Sequence, residues 1–264
     1  MIHRASFFLF ALLFSLYTHA SDMDKEKRWE AQIVDALIIG EAVKLKAGNI
    51  EFLGIFAEHA TEKAMGGAII LHGIGAHPAW PEVIQPLRTQ LPDHGWATLS
   101  LQMPILPNEA KGADYAPLFD EVRPRLQAGI DHLKQMGMQN IVIVAHSLGA
   151  AMATYYLSDK PDPAITAFVG IGMGQNEGDK KMDNAVSLRS IGLPVLDIFG
   201  SRDLPTVLAS EKARSTAATK AGNKNYTQLK IEGADHFFNN MDIVLVKRVR
   251  GWLAKNAEGT EIKK

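Results

Sequence analysis

The chain has no cysteine among its 264 residues. This absence excludes disulfide bonds, cysteine nucleophiles, thiolate metal sites and iron–sulfur clusters, so packing of the core alone must stabilise the fold. There is also no excess of charge of either sign, because 28 lysine and arginine residues balance 29 aspartate and glutamate residues. These charges are scattered along the chain, and we therefore expect no nucleic-acid partner.

The N-terminal segment lacks an apolar run of the length that a transmembrane helix needs. Arg4 precedes an apolar stretch from Phe7 to Tyr17, residues 18–20 form a small-x-small cleavage site, and a polar, acidic stretch follows. This pattern is typical of a signal peptide over residues 1–20, cleaved after Ala20. We predict export to a bacterial periplasm, with no stable membrane span after cleavage. An uncleaved membrane anchor is the alternative.

The remaining chain has enough apolar material for one large core, since 47% of all residues are hydrophobic. No linker divides it, so we predict a single α/β domain over residues 21–264. Short apolar runs alternate with helical stretches, which indicates a doubly wound, mostly parallel sheet with helices on both faces. The predicted strands are 68–71, 96–101, 141–145, 165–171, 195–199 and 226–231, and the predicted helices are 80–91, 116–136, 148–158, 206–220 and 240–254.

The first part of this domain has a different pattern. Residues 41–46 alternate between polar and apolar, Gly48 and Asn49 form a turn, and residues 50–58 are again strand-like. We predict an antiparallel hairpin at one edge of the sheet. Residues 24–39 fit either a helix or an extended segment.

Two stretches rich in turn residues follow predicted strand ends, at 104–116 and 172–187. Ligands bind at such ends in open α/β sheets, so these stretches are candidate walls or lids of a pocket. Ordinary solvated loops are an equally good interpretation.

The most specific local feature is a serine between an apolar strand and a helix. Ser147 follows residues 141–146, and small residues stand two positions before and after it, Ala145 and Gly149. This is the context of a nucleophile elbow, in which strand and helix pass closely around the serine. The N–H of Leu148 would then be one oxyanion donor. A helix N-cap is the alternative role of Ser147.

The chain order of an elbow-type triad is serine, then an acid, then histidine. His236 is the only histidine after Ser147, so it is the predicted base. Asp203 follows a predicted strand end and is the predicted acid, which holds the imidazole in the correct tautomer. Asp197 lies inside an apolar run and suits structural hydrogen bonds better, while Asp235 adjoins the base and is the weaker alternative acid.

A second oxyanion donor should come from the loop after an earlier strand. Gly73 and Gly75 allow a close backbone approach there, and the N–H of Ile74 is the predicted donor. His72 and His77 in the same stretch resemble a metal pair only weakly, because no third ligand is near them. We predict no metal site.

Four motifs in this order resemble the α/β-hydrolase superfamily, in its esterase/lipase-like branch. They are LHGIG at 71–75, AHSLG at 145–149, GSRD at 200–203 and GADHFF at 233–238. Residues 76–104 further resemble an uncharacterised family of exported bacterial proteins within that superfamily. Ala145 departs from the usual glycine, and the HGIG loop is not the HGGG type of some lipases and esterases, so their acyl-chain preferences do not carry over.

The resemblance implies a serine hydrolase that acts on an ester, thioester or amide through an acyl-enzyme and needs no cofactor. Its substrate would be a small-molecule or lipid-like acyl compound. An acyltransferase with the same triad and a catalytically silent binding protein of the cell envelope are the alternatives. Several apolar side chains near the motifs would line a pocket or, more commonly, pack in the core: Trp80, Met103, Met173, Phe237 and Phe238.

Overall fold

The computed structural model describes residues 21–175 and 179–257, so the signal peptide predicted for residues 1–20 lies outside the described residues. Eight strands form one sheet in the order β1-β2-β4-β3-β5-β6-β7-β8. Strands β3 to β8 are mutually parallel, whereas β1 pairs antiparallel with β2, and β2 with β4. The strands are β1 (Glu41–Ala47), β2 (Ile50–Ala57), β3 (Gly66–Leu71), β4 (Trp96–Leu101), β5 (Ile141–His146), β6 (Ile165–Ile171), β7 (Val195–Arg202) and β8 (Tyr226–Asp235). The predicted mostly parallel sheet with an antiparallel N-terminal hairpin at its edge is confirmed.

Helices cover both faces of the sheet. Ile69 and Leu71 pack in one apolar cluster with α3, α4 and α7, while Ala68 and Ile70 pack in a second cluster with α2 and α8. Alternate side chains of a strand point to opposite faces, so a strand covered on both sides is apolar throughout. The helices are α1 (Met23–Ala36), α2 (Ile84–Gln90), α3 (Phe119–Gln135), α4 (Leu148–Leu157), α5 (Asn184–Ser187), α6 (Pro205–Ala209), α7 (Glu211–Lys220) and α8 (Asp242–Asn256).

The stretch that fitted either helix or extended chain forms α1. Its N-cap is Asp22, whose carboxylate accepts the N–H of Lys25 at 2.9 Å. Ile33 packs against Leu53 and Ile55 of β2 and thereby attaches α1 to the antiparallel edge. Within the parts of the chain that the structure describes, no helix is both long and apolar enough to cross a bilayer.

Two of the predicted helices differ most from the structure. The helix predicted over 80–91 begins only at Ile84 and gives way to a 3-10 turn at Leu91–His94, which contains Pro92. The helix predicted over 206–220 is divided at Ser210 into α6 and α7. Local helical pattern therefore located these segments but not their breaks.

Candidate active site

Ser147 occupies the sharp turn from β5 into α4. Its backbone has φ 54° and ψ −120°, a conformation that L residues adopt only under strain. The turn is tight enough that a Cβ on Gly149 would overlap the carbonyl oxygen of His72, and one on Gly73 would lie 3.1 Å from the Ser147 Cβ. Glycine at both positions therefore lets the two loops pass close to the serine.

His236 lies between Ser147 and Asp203. Its Nε2 is 3.0 Å from the Ser147 Oγ, and its Nδ1 is 2.6 Å from the Asp203 Oδ1. The His236 side chain is only 7% exposed, so the two hydrogen bonds are shielded from competing water. The structure thus brings together the three side chains that the motifs indicated. They come from the ends of β5, β7 and β8, because carboxyl ends of parallel strands share one sheet edge.

The surroundings of Asp203 suit a charged carboxylate. Its Oδ1 accepts the N–H of Leu204 at 2.7 Å, and its Oδ2 accepts the N–H of Gly200 at 3.2 Å. Burial raises the pKa of the Asp203 carboxyl, but hydrogen bonds from His236 and these backbone groups outweigh burial and hold the pKa below its ordinary value. The side chain is therefore an anion facing the Nδ1–H of the imidazole.

The other two candidate acids are engaged elsewhere. Asp197 is fully buried and accepts hydrogen bonds from Arg214 at 2.7 Å and Gln228 at 2.8 Å. Asp235 instead accepts the backbone N–H groups of Phe237 at 3.1 Å and Asn239 at 3.0 Å, which ties its own loop together. Neither carboxylate faces His236.

The loop after β3, which contains Gly73 and borders Ser147, is held in place by a buried histidine. His72 donates through Nδ1 to the Gly73 carbonyl at 2.9 Å, and its Nε2 accepts the N–H of Met103 at 3.0 Å. Burial lowers the pKa of His72 to about 3, so it is neutral and uses both ring nitrogens structurally. Among the described residues there is no group of three or more potential metal ligands.

The two predicted oxyanion donors border the same space. The N–H of Leu148 is at the first position of α4, where helix N–H groups have no intrahelical acceptor. Ile74 lies across a cavity of about 120 Å³ that also exposes Ser147 and His236. Gly112 of the first turn-rich stretch and Gly174, Gln175 and Asn184 of the second also line it, together with Ala151, Gly172, Leu204, Thr206 and Val207. Both stretches therefore form walls of this cavity, although residues 176–178 of the second lie outside the described part.

A larger cleft of about 410 Å³ lies between α1 and α2, lined by residues such as Trp29, Ile38 and Arg88. It contains no serine, so we assign the site to the smaller cavity on its chemistry rather than its size. Of the apolar side chains near the motifs, Met103, Met173 and Phe238 are buried in the core, Trp80 is half-buried, and Phe237 is exposed.

Two site residues were missed by the sequence analysis. His146 is buried and its Nε2 donates to the backbone carbonyl of His236 at 3.0 Å, which fixes the position of that residue. Gly172 has φ 61°, and a Cβ there would lie 2.9 Å from two ring atoms of His236. The available signals were a histidine directly before the serine and a glycine directly after an apolar strand.

We expect Gly172→Ala to lower kcat by about 100-fold, because the added methyl group would displace the His236 imidazole from Ser147. Gly222→Ala is the matched control, since Gly222 also has a positive φ, 72°, but has no atom near the new Cβ. Steady-state kinetics and thermal unfolding of both variants separate the two effects. If Gly172→Ala and Gly222→Ala lost the same activity, the cause would be backbone strain at a positive φ rather than displacement of the imidazole.

Buried histidines should make stability depend on pH. Burial lowers the pKa of His72 and His146 to about 3, far below the ordinary value of about 6.5. The unfolded chain therefore binds more protons between these pH values, and the free energy of unfolding should fall by up to about 1.4 kcal/mol per histidine for each pH unit of acidification. Urea unfolding at pH 7, 6 and 5 measures this slope. It should decrease in His72→Gln but not in His94→Gln, a change at an exposed histidine; an unchanged slope in His72→Gln would contradict the assignment.

Solved structures with the α/β-hydrolase fold resemble this chain. A dienelactone hydrolase from Anabaena variabilis is 19% identical, with a TM-score of 0.67 over 83% of this chain and 98% of that chain. An esterase from Pyrococcus furiosus is 17% identical, with a TM-score of 0.65 over 85% and 95%. An α/β serine hydrolase without lid from Xanthomonas campestris is 15% identical, with a TM-score of 0.64 over 84% and 97%.

The sheet topology and these similarities define the fold class: the chain has the α/β-hydrolase fold. Within that class, it belongs to the family described as protein of unknown function (DUF3530), whose model matches residues 18–117 and 109–255. A comparison with curated protein sequences finds no match.

Proposed function

We propose that this protein is a serine hydrolase that cleaves carboxylic esters through an acyl-enzyme on Ser147. The observation that carries the proposal is the chain of hydrogen bonds from Ser147 through His236 to Asp203, at 3.0 and 2.6 Å. A serine in a strained turn at a helix start, with a histidine in contact and a carboxylate behind that histidine, is the arrangement that acyl transfer uses. The similar solved structures include a dienelactone hydrolase and an esterase, which agrees with ester chemistry.

The reaction would proceed in two halves. His236 Nε2 takes the Ser147 proton as Oγ attacks the ester carbonyl, and the N–H groups of Leu148 and Ile74 hold the oxyanion. The imidazolium, stabilised by Asp203, then protonates the leaving alcohol. Water attacks the acyl-enzyme with His236 again as base, which releases the acid and restores Ser147. No cofactor takes part in these steps.

The cavity favours a short acyl group. Its volume is about 120 Å³, and its lining combines apolar residues such as Leu204 and Val207 with the polar side chains of Gln175, Asn184 and Thr206. A long acyl chain would not fit within a volume of this size. We therefore propose short-chain esters of small molecules as the substrate class.

Labelling with a fluorophosphonate tests the proposal, since such a reagent reacts with an activated serine. We expect stoichiometric labelling of the protein, none of Ser147→Ala, and full labelling of Ser215→Ala, which changes a half-buried serine on α7 that does not line the cavity. Short-chain aryl esters screened in parallel should be hydrolysed only by the labelled proteins. Equal labelling of the Ser147 variant, or no labelling of the folded protein, would contradict the proposal. Transfer of the acyl group to an added alcohol in preference to water would instead indicate an acyltransferase.

We also propose that residues 1–20 form a signal peptide, removed after Ala20 on export to the periplasm. The sequence pattern at residues 4–20 supports this, and residues 21–264 would then form the single mature α/β-hydrolase domain.

A further inference from the structure

A buried ionic cluster binds the segment that begins at Ser21; we call Ser21, Glu26, Glu121 and Arg125 the N-terminal cluster. The Arg125 side chain is fully buried and donates to both carboxylate oxygens of Glu26, at 2.9 and 3.0 Å. It also donates to Glu121 Oε2 at 3.1 Å. One guanidinium thus joins two carboxylates from α1 and α3 in a site largely closed to water.

Ser21 is bound by the Glu121 carboxylate, which also accepts a hydrogen bond from Arg125. Its backbone nitrogen donates to Glu121 Oε1 at 3.0 Å, and its hydroxyl donates to Glu121 Oε2 at 2.9 Å. The Ser21 Oγ also accepts a hydrogen bond from Arg125 at 3.0 Å. The main-chain nitrogen of residue 21 therefore lies directly against a carboxylate oxygen.

The cluster lacks one positive charge. Two carboxylates face one guanidinium, and the nearby Lys25 places its Nζ on the Leu106 carbonyl and Asn108 instead, at 2.8 Å from each. A buried charge without a partner is costly. Burial raises the pKa of Glu26, and the negative charge of Glu121 adds to this effect, although Arg125 opposes it.

We propose that hydrolysis of the peptide bond between residues 20 and 21 creates the missing charge, an α-ammonium on Ser21 that forms an ion pair with Glu121. A peptidase of the exporting cell would supply the reaction, which consumes one water and leaves a carboxylate on Ala20 and a protonated amine on Ser21. The cluster then holds two positive and two negative charges. This inference rests on the export step proposed above and does not require that the hydrolase proposal be correct.

The new terminus would also be linked to the candidate active site. Arg125 Nη1 donates to the Gln102 carbonyl at 2.9 Å, and the N–H of Asp22 donates to the Ile105 carbonyl at 2.8 Å. Between these two contacts lies Met103, whose N–H binds the His72 ring that fixes Gly73. The ion pair would therefore brace the segment after β4, on which the loop carrying Ile74 depends.

The first test is the amino-terminal sequence of the protein recovered after export by a bacterial host. We expect Ser21 as the first residue. A different first residue, or an uncleaved chain, would overturn the proposed cleavage between residues 20 and 21. Labelling of Ser147 tests the hydrolase proposal separately.

The second test examines the ion pair directly, in protein prepared with Ser21 as its first residue. The α-amine is reductively dimethylated with ¹³C-formaldehyde and a borohydride reductant, which preserves its ability to carry a positive charge, and its pKa is measured by NMR titration. An ion pair with Glu121 should raise that pKa above the ordinary range of about 7.7 to 8.0, with proton binding at least about tenfold tighter. Glu121→Gln should abolish the increase, while Asp120→Asn, an exposed neighbour paired with Lys181, should retain it. An ordinary pKa in the unmodified sequence, or the same raised pKa in Glu121→Gln, would overturn the ion pair.

A third measurement covers the case in which Glu121→Gln does not fold. The same chain is compared with a free and an acetylated Ser21 amine, which changes no side chain. The free amine should give the higher Tm at pH 6, and the difference should disappear as pH rises through the raised pKa, because the deprotonated amine no longer pairs with Glu121. Equal Tm values at pH 6 would reject the proposal.

Discussion

Replacing His236 with alanine should lower kcat for a short-chain ester by about 10⁵- to 10⁶-fold while leaving the fold intact. Nε2 of His236 is the ring atom in contact with the Ser147 Oγ, at 3.0 Å, so its removal leaves the serine without a base. A serine hydroxyl at its ordinary pKa is a weak nucleophile, and both halves of the reaction require the same proton transfer. Residual turnover should therefore be close to that of Ser147→Ala, and the double variant should lose little more, because the two residues act as a unit.

His94→Ala is the matched control, because His94 is exposed on the 3-10 turn after α2. It should retain full kcat and full fluorophosphonate labelling. Circular dichroism and thermal unfolding should be similar for both variants, which separates loss of chemistry from loss of structure. Turnover of His236→Ala within about tenfold of the parent would show that His236 is not the base.

The sheet could be predicted from sequence because its strands are surrounded by apolar partners. Residues 66–71 and 141–146 are buried on both faces, so they are almost uniformly apolar and stand out from the helices between them. The antiparallel hairpin was equally clear, since Gly48 and Asn49 separate two strand-like runs. What pattern could not give was the break at Ser210, whose hydroxyl binds the backbone of Thr206 and the side chain of Arg214.

Some site residues could be predicted from the sequence and others could not, and the difference has a physical reason. Ser147 is surrounded by its own sequence neighbours, so a strand, a small residue and a helix start indicated the elbow locally. His236 was indicated because no other histidine follows the serine. Gly172 and His146 belong to contacts between separate loops, and one sequence has no signal for the 2.9 Å approach to the His236 ring or for the bond to its carbonyl. The catalytic roles of these side chains stay predictions.

Changing Asp203 to asparagine should reduce kcat by about 10³- to 10⁴-fold with little change in KM. The carboxylate stabilises the imidazolium that forms when His236 takes the serine proton, and an amide carries no charge with which to do so. The amide also cannot accept all the hydrogen bonds that the Asp203 carboxylate accepts, because it has only one oxygen. Its oxygen can serve either the Oδ1 position, which faces His236 and Leu204, or the Oδ2 position, which faces Gly200. In the second orientation the amide NH₂ faces Nδ1 and selects the wrong imidazole tautomer.

Asp235→Asn distinguishes Asp203 from the remaining candidate acid. Asp235 Oδ1 accepts both backbone N–H groups of its loop, from Phe237 and Asn239, so an asparagine with its oxygen in that position keeps both bonds. The loop should stay in place and kcat should fall by less than about tenfold, because no charge facing His236 is lost. Fluorophosphonate should likewise label Asp203→Asn more slowly than Asp235→Asn. If Asp235→Asn instead lost most activity and Asp203→Asn retained it, the acid role would move to Asp235, and the 2.6 Å contact at Nδ1 would be structural alone.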